Sequence, residues 1–429
     1  MLATIGYVTV FLVLILILTN KASPLIALVV VPTLACLVCG RMPEYGKFVV
    51  SGIQRIAPTA AMFCYAIVFF NFLIEIGTFD PIVSGALRFA KNNPAKIMIA
   101  VVIISMVGHL DGAGSTTFIL TVGAMLPIFK KLKLDPMYLI VLCGITAGIM
   151  NIVPWGGPTM RVMTVFTADA SQVFTPMIIP MAAGLICTCG LAFYFGSAEK
   201  KRLAATGQSF DIQIAEEEHN EEKNEMGFLL YLNWALIVAA MFCLIKGILP
   251  AAPTMLVSLV AAFLINRKDK AAQDKVIAKY APIAFNLTVV SFATAVFTGV
   301  LTGCELLDAM AKALVSIIPE SLGGYFSVIV GILSFPFSFL FTPDAYYYSI
   351  VPTLSTAASS LGASPLIIGR ASLMGQMTVG FPFSGLNATS YMLPEMVGIS
   401  FSDFQKKGIP YAYGVSIVMT LVGLLCGVI

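Results

Sequence analysis

Along this chain long apolar runs alternate with short polar breaks, and within a run the apolar positions are continuous. Uninterrupted runs predict spans near 2–19, 24–40, 57–76, 137–153, 174–197, 228–247, 251–266, 283–303, 364–381 and 409–429. Each approaches the roughly 20 residues that an α-helix needs to cross the hydrocarbon of a bilayer. Continuous apolarity excludes the alternating strands of a membrane barrel. Two further segments, 95–130 and 321–354, are apolar at both ends and polar in the middle. Their tips read His109-Leu-Asp-Gly-Ala-Gly-Ser-Thr-Thr117 and Phe341-Thr-Pro-Asp-Ala-Tyr-Tyr-Tyr348. Arms of about 13 to 16 residues measure about 20–24 Å, too short to demand a crossing, so both segments are expected to be re-entrant hairpins.

One hydrophilic stretch, 199–226, carries Glu216, Glu217, Glu218, Glu221, Glu222 and Glu225 and divides the chain near its middle. It reads as a cytoplasmic linker between a first half, 1–198, and a second, 227–429. The halves repeat one plan: two spans, a basic loop, a third span, a short amphipathic stretch (80–91 and 305–317), a hairpin, then two more spans. Pro127 answers Pro352, Pro136 answers Pro365 and Pro154 answers Pro382, at separations of 225, 229 and 228 residues. Five spans is an odd number, so the second half is expected to lie upside down relative to the first, as in secondary transporters built from inverted repeats. An outside N-terminus places 18 of the 25 Lys and Arg residues on the inner face, the bias expected of a multi-pass protein of the cell (inner) membrane. Both termini are then outside, the first hairpin opens from the cytoplasm and the second from outside. The first run has no basic residues before it and reads as a span, not a leader.

Composition agrees. At 59% hydrophobic and 11% charged the sequence cannot clothe a soluble surface. The net charge of +3 carries little information and nothing supports nucleic-acid binding. The nine cysteines fall almost entirely in apolar runs and read as small hydrophobes, Cys36 and Cys39 included. No nucleophile and base pair, phosphate loop or metal cluster suggests an enzyme.

The candidate chemistry lies where apolar runs break. After each hairpin a span is interrupted, at Asn151-Ile-Val-Pro-Trp-Gly-Gly-Pro-Thr159 and at Gly380-Phe-Pro-Phe-Ser-Gly-Leu-Asn-Ala-Thr-Ser390. Irregular backbone at membrane depth must be buried in protein or line a wet cavity, so two tips and two breaks imply a shared cavity whose helix ends attract an anion. Asp111 and Asp344 occupy related places in the two tips, where a carboxylate carries a proton, binds a metal cation or caps a helix. His109 either shuttles protons or hydrogen-bonds within its tip. Arg161 and Arg370 either fork onto a substrate carboxylate or form structural ion pairs. Asn71 and Glu75 read as interfacial caps, and Tyr346, Tyr347 and Tyr348 as packing residues.

These tips and breaks, with Met125-Leu-Pro127 and Met150-Asn151, resemble the citrate/metal:proton symporter family (CitMHS) of the ion transporter superfamily over essentially the whole length. The resemblance implies an all-α membrane fold of two inverted five-span repeats, each with a re-entrant hairpin and a broken helix, like the divalent-anion/sodium symporters. It implies proton-driven import of citrate or a related di- or tricarboxylate complexed to a divalent metal. Mg²⁺ or Ca²⁺ then travels with the substrate and no cofactor is held permanently. It also implies a scaffold domain, a mobile transport domain and a homodimer. Matched residue by residue, Ser115, Thr116 and Thr117 belong to the first tip, and Asn151, Gly156, Gly157 and Thr159 to the first break. Thr342, Pro343 and Asp344 belong to the second tip, and Asn387, Ala388 and Thr389 to the second break. Members carry a second acidic residue in the first tip where this chain has Ala113, which leaves room for free citrate or another carboxylate. The alternative is a sodium-coupled dicarboxylate carrier; an ion channel ranks last, because channels repeat around a pore and this chain repeats within itself.

Overall fold

The computed structural model describes residues 1–18, 21–90, 93–205, 227–315 and 324–429, and every regular element among them is helical. The first half runs through α1 (Leu2–Leu18), α2 (Pro24–Val38), α3 (Tyr45–Glu75) and α4 (Asp80–Ala90), then α5 (Pro94–Gly108) and α6 (Gly114–Lys131), then α7 (Pro136–Met150), α8 (Gly157–Phe166) and α9 (Ala170–Ala205). The second half follows the same order through α10 (Gly227–Lys246), α11 (Ala251–Asn266), α12 (Lys270–Gly303) and α13 (Leu306–Val315). Next come α14 (Phe326–Phe337), α15 (Pro343–Ala345), a π-type turn at Tyr346–Ile350, α16 (Val351–Ser360), α17 (Pro365–Ser372), α18 (Ala388–Glu395) and α19 (Phe401–Leu425). The linker beyond Ala205, the segment 321–323 that opens the second hairpin, and Lys91 and Lys223 lie outside the described residues.

Local chemistry fixes many of these starts. Asn93 and Asp135 accept from backbone N–H groups two residues on, each followed by proline at the first helical position, and Asp269 and Ser400 cap α12 and α19.

Three expectations need correction. The basic stretches before the third span of each half are helical, so α3 begins at Tyr45 and α12 at Lys270. Hydropathy marks the apolar window, whereas Lys, Gln and Arg extend a helix readily. The expected spans are also uneven in length. Among the described residues, Ala170–Ala205, Gly227–Lys246 and Phe401–Leu425 are each long and apolar enough to cross a membrane, and Met42–Pro58 with Ala60–Glu75, bent by 41°, makes a fourth. Helices α1, α2, α5, α7, α11 and α14 have 12 to 17 residues and reach about 18–26 Å. Finally, the run 364–381 is no single helix. α17 stops at Ser372, and the chain turns through Met377 at φ 51° while the Met377 N–H donates to Ser338 Oγ.

Long helices α3 and α12 lie against each other, with α2 on α12 and α11 on α3. Glycine allows this closeness: a Cβ on Gly52 would meet the Ala295 carbonyl at 2.1 Å, and one on Gly299 the Phe48 carbonyl at 2.5 Å. Where α3 ends, Glu75 accepts from the Tyr280 hydroxyl at 2.6 Å and pairs with Lys279 at 3.0 Å, so it ties α3 to α12 instead of capping an interface. Around this pair, α5 packs on α6, α7 and α9, while α14 packs on α17 and α19. Buried Glu199 accepts from Arg202 and from the Asp135 N–H, fastening α9 to the start of α7.

Candidate functional site

The first tip is a tight turn between α5 and α6. Asp111 Oδ1 accepts from the Ala113 N–H at 2.8 Å, and Gly112 between them takes φ 75°. A side chain at Gly112 would come within 3.3 Å of Trp155. Trp155 belongs to the first break; its Nε1–H donates to the Leu110 carbonyl at 2.7 Å and its ring stacks on Phe70 of α3 with centroids 3.9 Å apart. The break therefore holds the tip and braces it on the long-helix pair. Asp111 is only 3% exposed, and its Oδ2 has no hydrogen-bond partner among the described residues. A bare carboxylate oxygen in that position is costly, by several kcal/mol unless a proton or cation joins it.

Beside it runs a polar chain. His109 Nδ1 lies 2.7 Å from Thr117 Oγ1, and Nε2 faces Asn151 Oδ1 at 3.5 Å, the outer limit for a bond. Asn151 Nδ2 donates to the Met377 carbonyl at 2.8 Å, which fixes which way the amide points. The Thr117 hydroxyl donates to the Ala113 carbonyl at 2.9 Å. Neutral histidine and threonine bring one hydrogen each, whereas the contacts of Thr117 with Ala113, His109 with Thr117 and His109 with Asn151 require three. One added proton completes them.

The second tip is held differently. Thr342 Oγ1 caps the Ala345 N–H at 3.3 Å, with Pro343 at the first helical position. Asp344 Oδ1 accepts from Arg161 Nε at 2.8 Å and forms an ion pair with Nη2 at 2.7 Å, and the guanidinium sits 5.9 Å from the Tyr348 ring. Arg161 is on α8, so the first break also anchors the second tip. Tyr346 and Tyr347 are fully buried, and the Tyr347 hydroxyl donates to the Gln376 carbonyl at 2.8 Å.

The two breaks touch. A Cβ on Gly148 would lie 2.5 Å from the Thr378 carbonyl, and one on Gly114, at the start of α6, 2.5 Å from the Phe381 ring and 3.5 Å from Thr389. Within the first break only glycine fits at 156, where a Cβ would be 2.0 Å from the Asn151 carbonyl, and Thr159 donates to the Ile152 carbonyl. Gly157 opens α8, and Asn387 caps α18 through the Thr389 N–H. Ser115 is exposed and Thr116 half-buried at the tip. His109, Asp111, Thr117 and Asn151 thus converge, with Arg161 of the adjoining α8 paired to Asp344 of α15. Arg370 is elsewhere, donating to the Gln172 and Val428 carbonyls.

Met377 and Ser338 escaped sequence reasoning, as did Gln376, whose Oε1 is buried without a partner among the described residues. A signal existed: Gly148-Ile-Met-Asn151 recurs 227 residues later as Gly375-Gln-Met-Thr378.

A family model described as citrate transporter, CitMHS, matches residues 12–375. The chain belongs to the citrate transporter family. It is a transport protein, not an enzyme, and its apolar helices are those of a multi-pass membrane protein. Members similar to it include two Bacillus subtilis proteins. One, named citrate transporter, is 38% identical over 100% of both chains. The other, named Mg(2+)/citrate complex secondary transporter, is 35% identical over 100% of this chain and 99% of its own. Among solved structures the fold is similar to the YdaH transporter of Alcanivorax borkumensis, with TM-score 0.56 and 12% identity over 91% of this chain and 89% of that one.

Proposed function

We propose that this family member imports citrate as its Mg²⁺ complex, driven by protons, and that His109, Asp111, Thr117 and Asn151 couple the two. The buried, unpartnered Oδ2 of Asp111 carries this reading. A carboxylate kept dry and unpaired is useful where its charge is periodically neutralised. The hydrogen-short contacts of His109 give a second place for the proton. Metal is cargo here. Among the described residues no three His, Cys, Asp or Glu side chains gather to hold an ion. Magnesium keeps much of its shell as water and ligand oxygens, so a citrate-wrapped ion needs only one or two protein carboxylates. Ser115, Thr116 and the N-terminus of α8 at Gly157 would offer hydroxyl and N–H donors to the remaining carboxylates.

The same reading makes the two halves inverted repeats, with the tips at mid-membrane, both termini outside, α3 and α12 as scaffold, and the chain a homodimer. The matching element order and the reciprocal packing of α2 on α12 and α11 on α3 support it. Proteoliposome uptake of labelled citrate is the test. Accumulation should need Mg²⁺ and an inward proton gradient and ignore Na⁺. Equal uptake without any divalent ion would make free citrate the substrate. A sodium requirement would turn the reading to a sodium-coupled carrier.

A further inference from the structure

Away from the tips, a cavity of about 70 Å³ lies between α3, α8 and α12. One wall is the glycine contact of the long helices, Gly52 and Gly299; the others carry Arg55, Thr164, Thr298 and Thr302. Arg55 is exposed at the mouth of this cavity and makes no ion pair or hydrogen bond among the described residues, so its guanidinium is free to meet a ligand. Thr164 is 1% exposed and its hydroxyl has no partner among the described residues, so its hydrogen is free to point into the cavity. Nothing acidic lines the space. Arg55 brings only donors, and a cavity with this lining selects an anion. The volume is less than half the roughly 150 Å³ that accommodates a benzene ring, so it takes a carboxylate group and a little water, not a whole tricarboxylate.

Its position gives it meaning. Thr164 follows Arg161 by three residues on one face of α8, about 4.5 Å along the axis. On α12, Ser291, Thr294, Thr298 and Thr302 recur at spacings of three and four, a single hydroxyl stripe. Ser291 and Thr294 at its inner end lie against the Tyr348 hydroxyl, beside the Arg161–Asp344 pair, and Thr298 and Thr302 line the cavity.

We propose that this cavity is a second anion site, in which Arg55 and the Thr164 hydroxyl hold one carboxylate of the substrate on its way to the tips. The proposal rests on the carrier reading for the identity of the anion. Arg55 acts before the coupling step, so it governs capture from one side of the membrane and not turnover.

Two experiments decide it and separate its failure from that of the carrier reading. In proteoliposomes with labelled citrate and Mg²⁺, Arg55→Gln should raise the half-saturation concentration roughly 3- to 10-fold for one direction of transport. The maximal rate and the opposite direction should be unchanged, and Arg55→Lys should recover most of the loss. Thr164→Val should give a smaller rise in the same direction. A loss of maximal rate alone, or no change in half-saturation from either side, overturns the site. The second experiment needs no transport. In a cysteine-free background, labelling of Thr302→Cys by a water-soluble thiol reagent should be slowed by citrate or tricarballylate, and this protection should vanish when Arg55→Gln is added. Protection that requires phosphatidylglycerol and no soluble anion would assign the cavity to a lipid phosphate and overturn the proposal. Protection by citrate in a protein that carries none would keep the site and refute the carrier.

Discussion

The two hairpin tips place an aspartate at related points of the two halves and neutralise it in opposite ways. Asp344 accepts a hydrogen bond from Arg161 Nε and pairs with its Nη2, with the side chains only 16% and 13% exposed, so its charge is permanently answered. Asp111 accepts the Ala113 N–H at one oxygen and leaves the other buried with no partner among the described residues. The difference separates a joint from a site. Arg161 fastens the second tip to α8, and freeing it for a substrate carboxylate would mean breaking a nearly dry ion pair. The first tip is fastened by an indole and a backbone carbonyl, which leaves one oxygen of its carboxylate open.

Stability should separate the two most sharply. Removing one partner of a buried pair costs about 3–5 kcal/mol, so Asp344→Asn and Arg161→Gln should each unfold much more easily in detergent. The double variant Arg161→Met with Asp344→Leu should recover most of that loss. Asp111→Asn removes an unpaired buried charge and should leave unfolding unchanged or raise its midpoint. Equal destabilisation by Asp111→Asn and Asp344→Asn would erase the distinction.

A smaller effect probes where the breaks meet. Gly148→Ala drives a Cβ into the Thr378 carbonyl and Val379 Cα, backbone that cannot swing aside, and should cost about 1–3 kcal/mol. Gly123→Ala, with nothing within 4 Å, is the control and should be neutral or slightly stabilising. Asn151→Leu leaves the Met377 carbonyl without its donor and should cost about 1–3 kcal/mol, read by the same unfolding assay.

How far the sequence reached depends on what each feature encodes. Polar tips at Asp111 and Asp344, the broken helix at Asn151, and the amphipathic helices α4 and α13 were legible, because local composition and proline and glycine spacing determine them. The true extents of α3 and α12 were not, since an apolar window says where a helix meets lipid and not where it begins. The second break runs to Asn387 as expected but begins earlier than Gly380, at Leu373, where Phe335 of α14 and Ser338 just past its end pack on Gly375 and Met377. Pairing of Arg161 with Asp344 joins residues 183 apart, and spacing along the chain carries no record of it.

The claim that Asp111 is the neutralisable group of the carrier is tested most directly by Asp111→Asn in proteoliposomes that compare two modes of the same protein. The amide stands in for the protonated acid. This variant should therefore still exchange labelled external citrate for unlabelled internal citrate, while accumulation driven by a proton gradient disappears. Accumulation at the wild-type level, with the wild-type dependence on pH and Mg²⁺, would contradict the account and leave Asp111 as a turn residue.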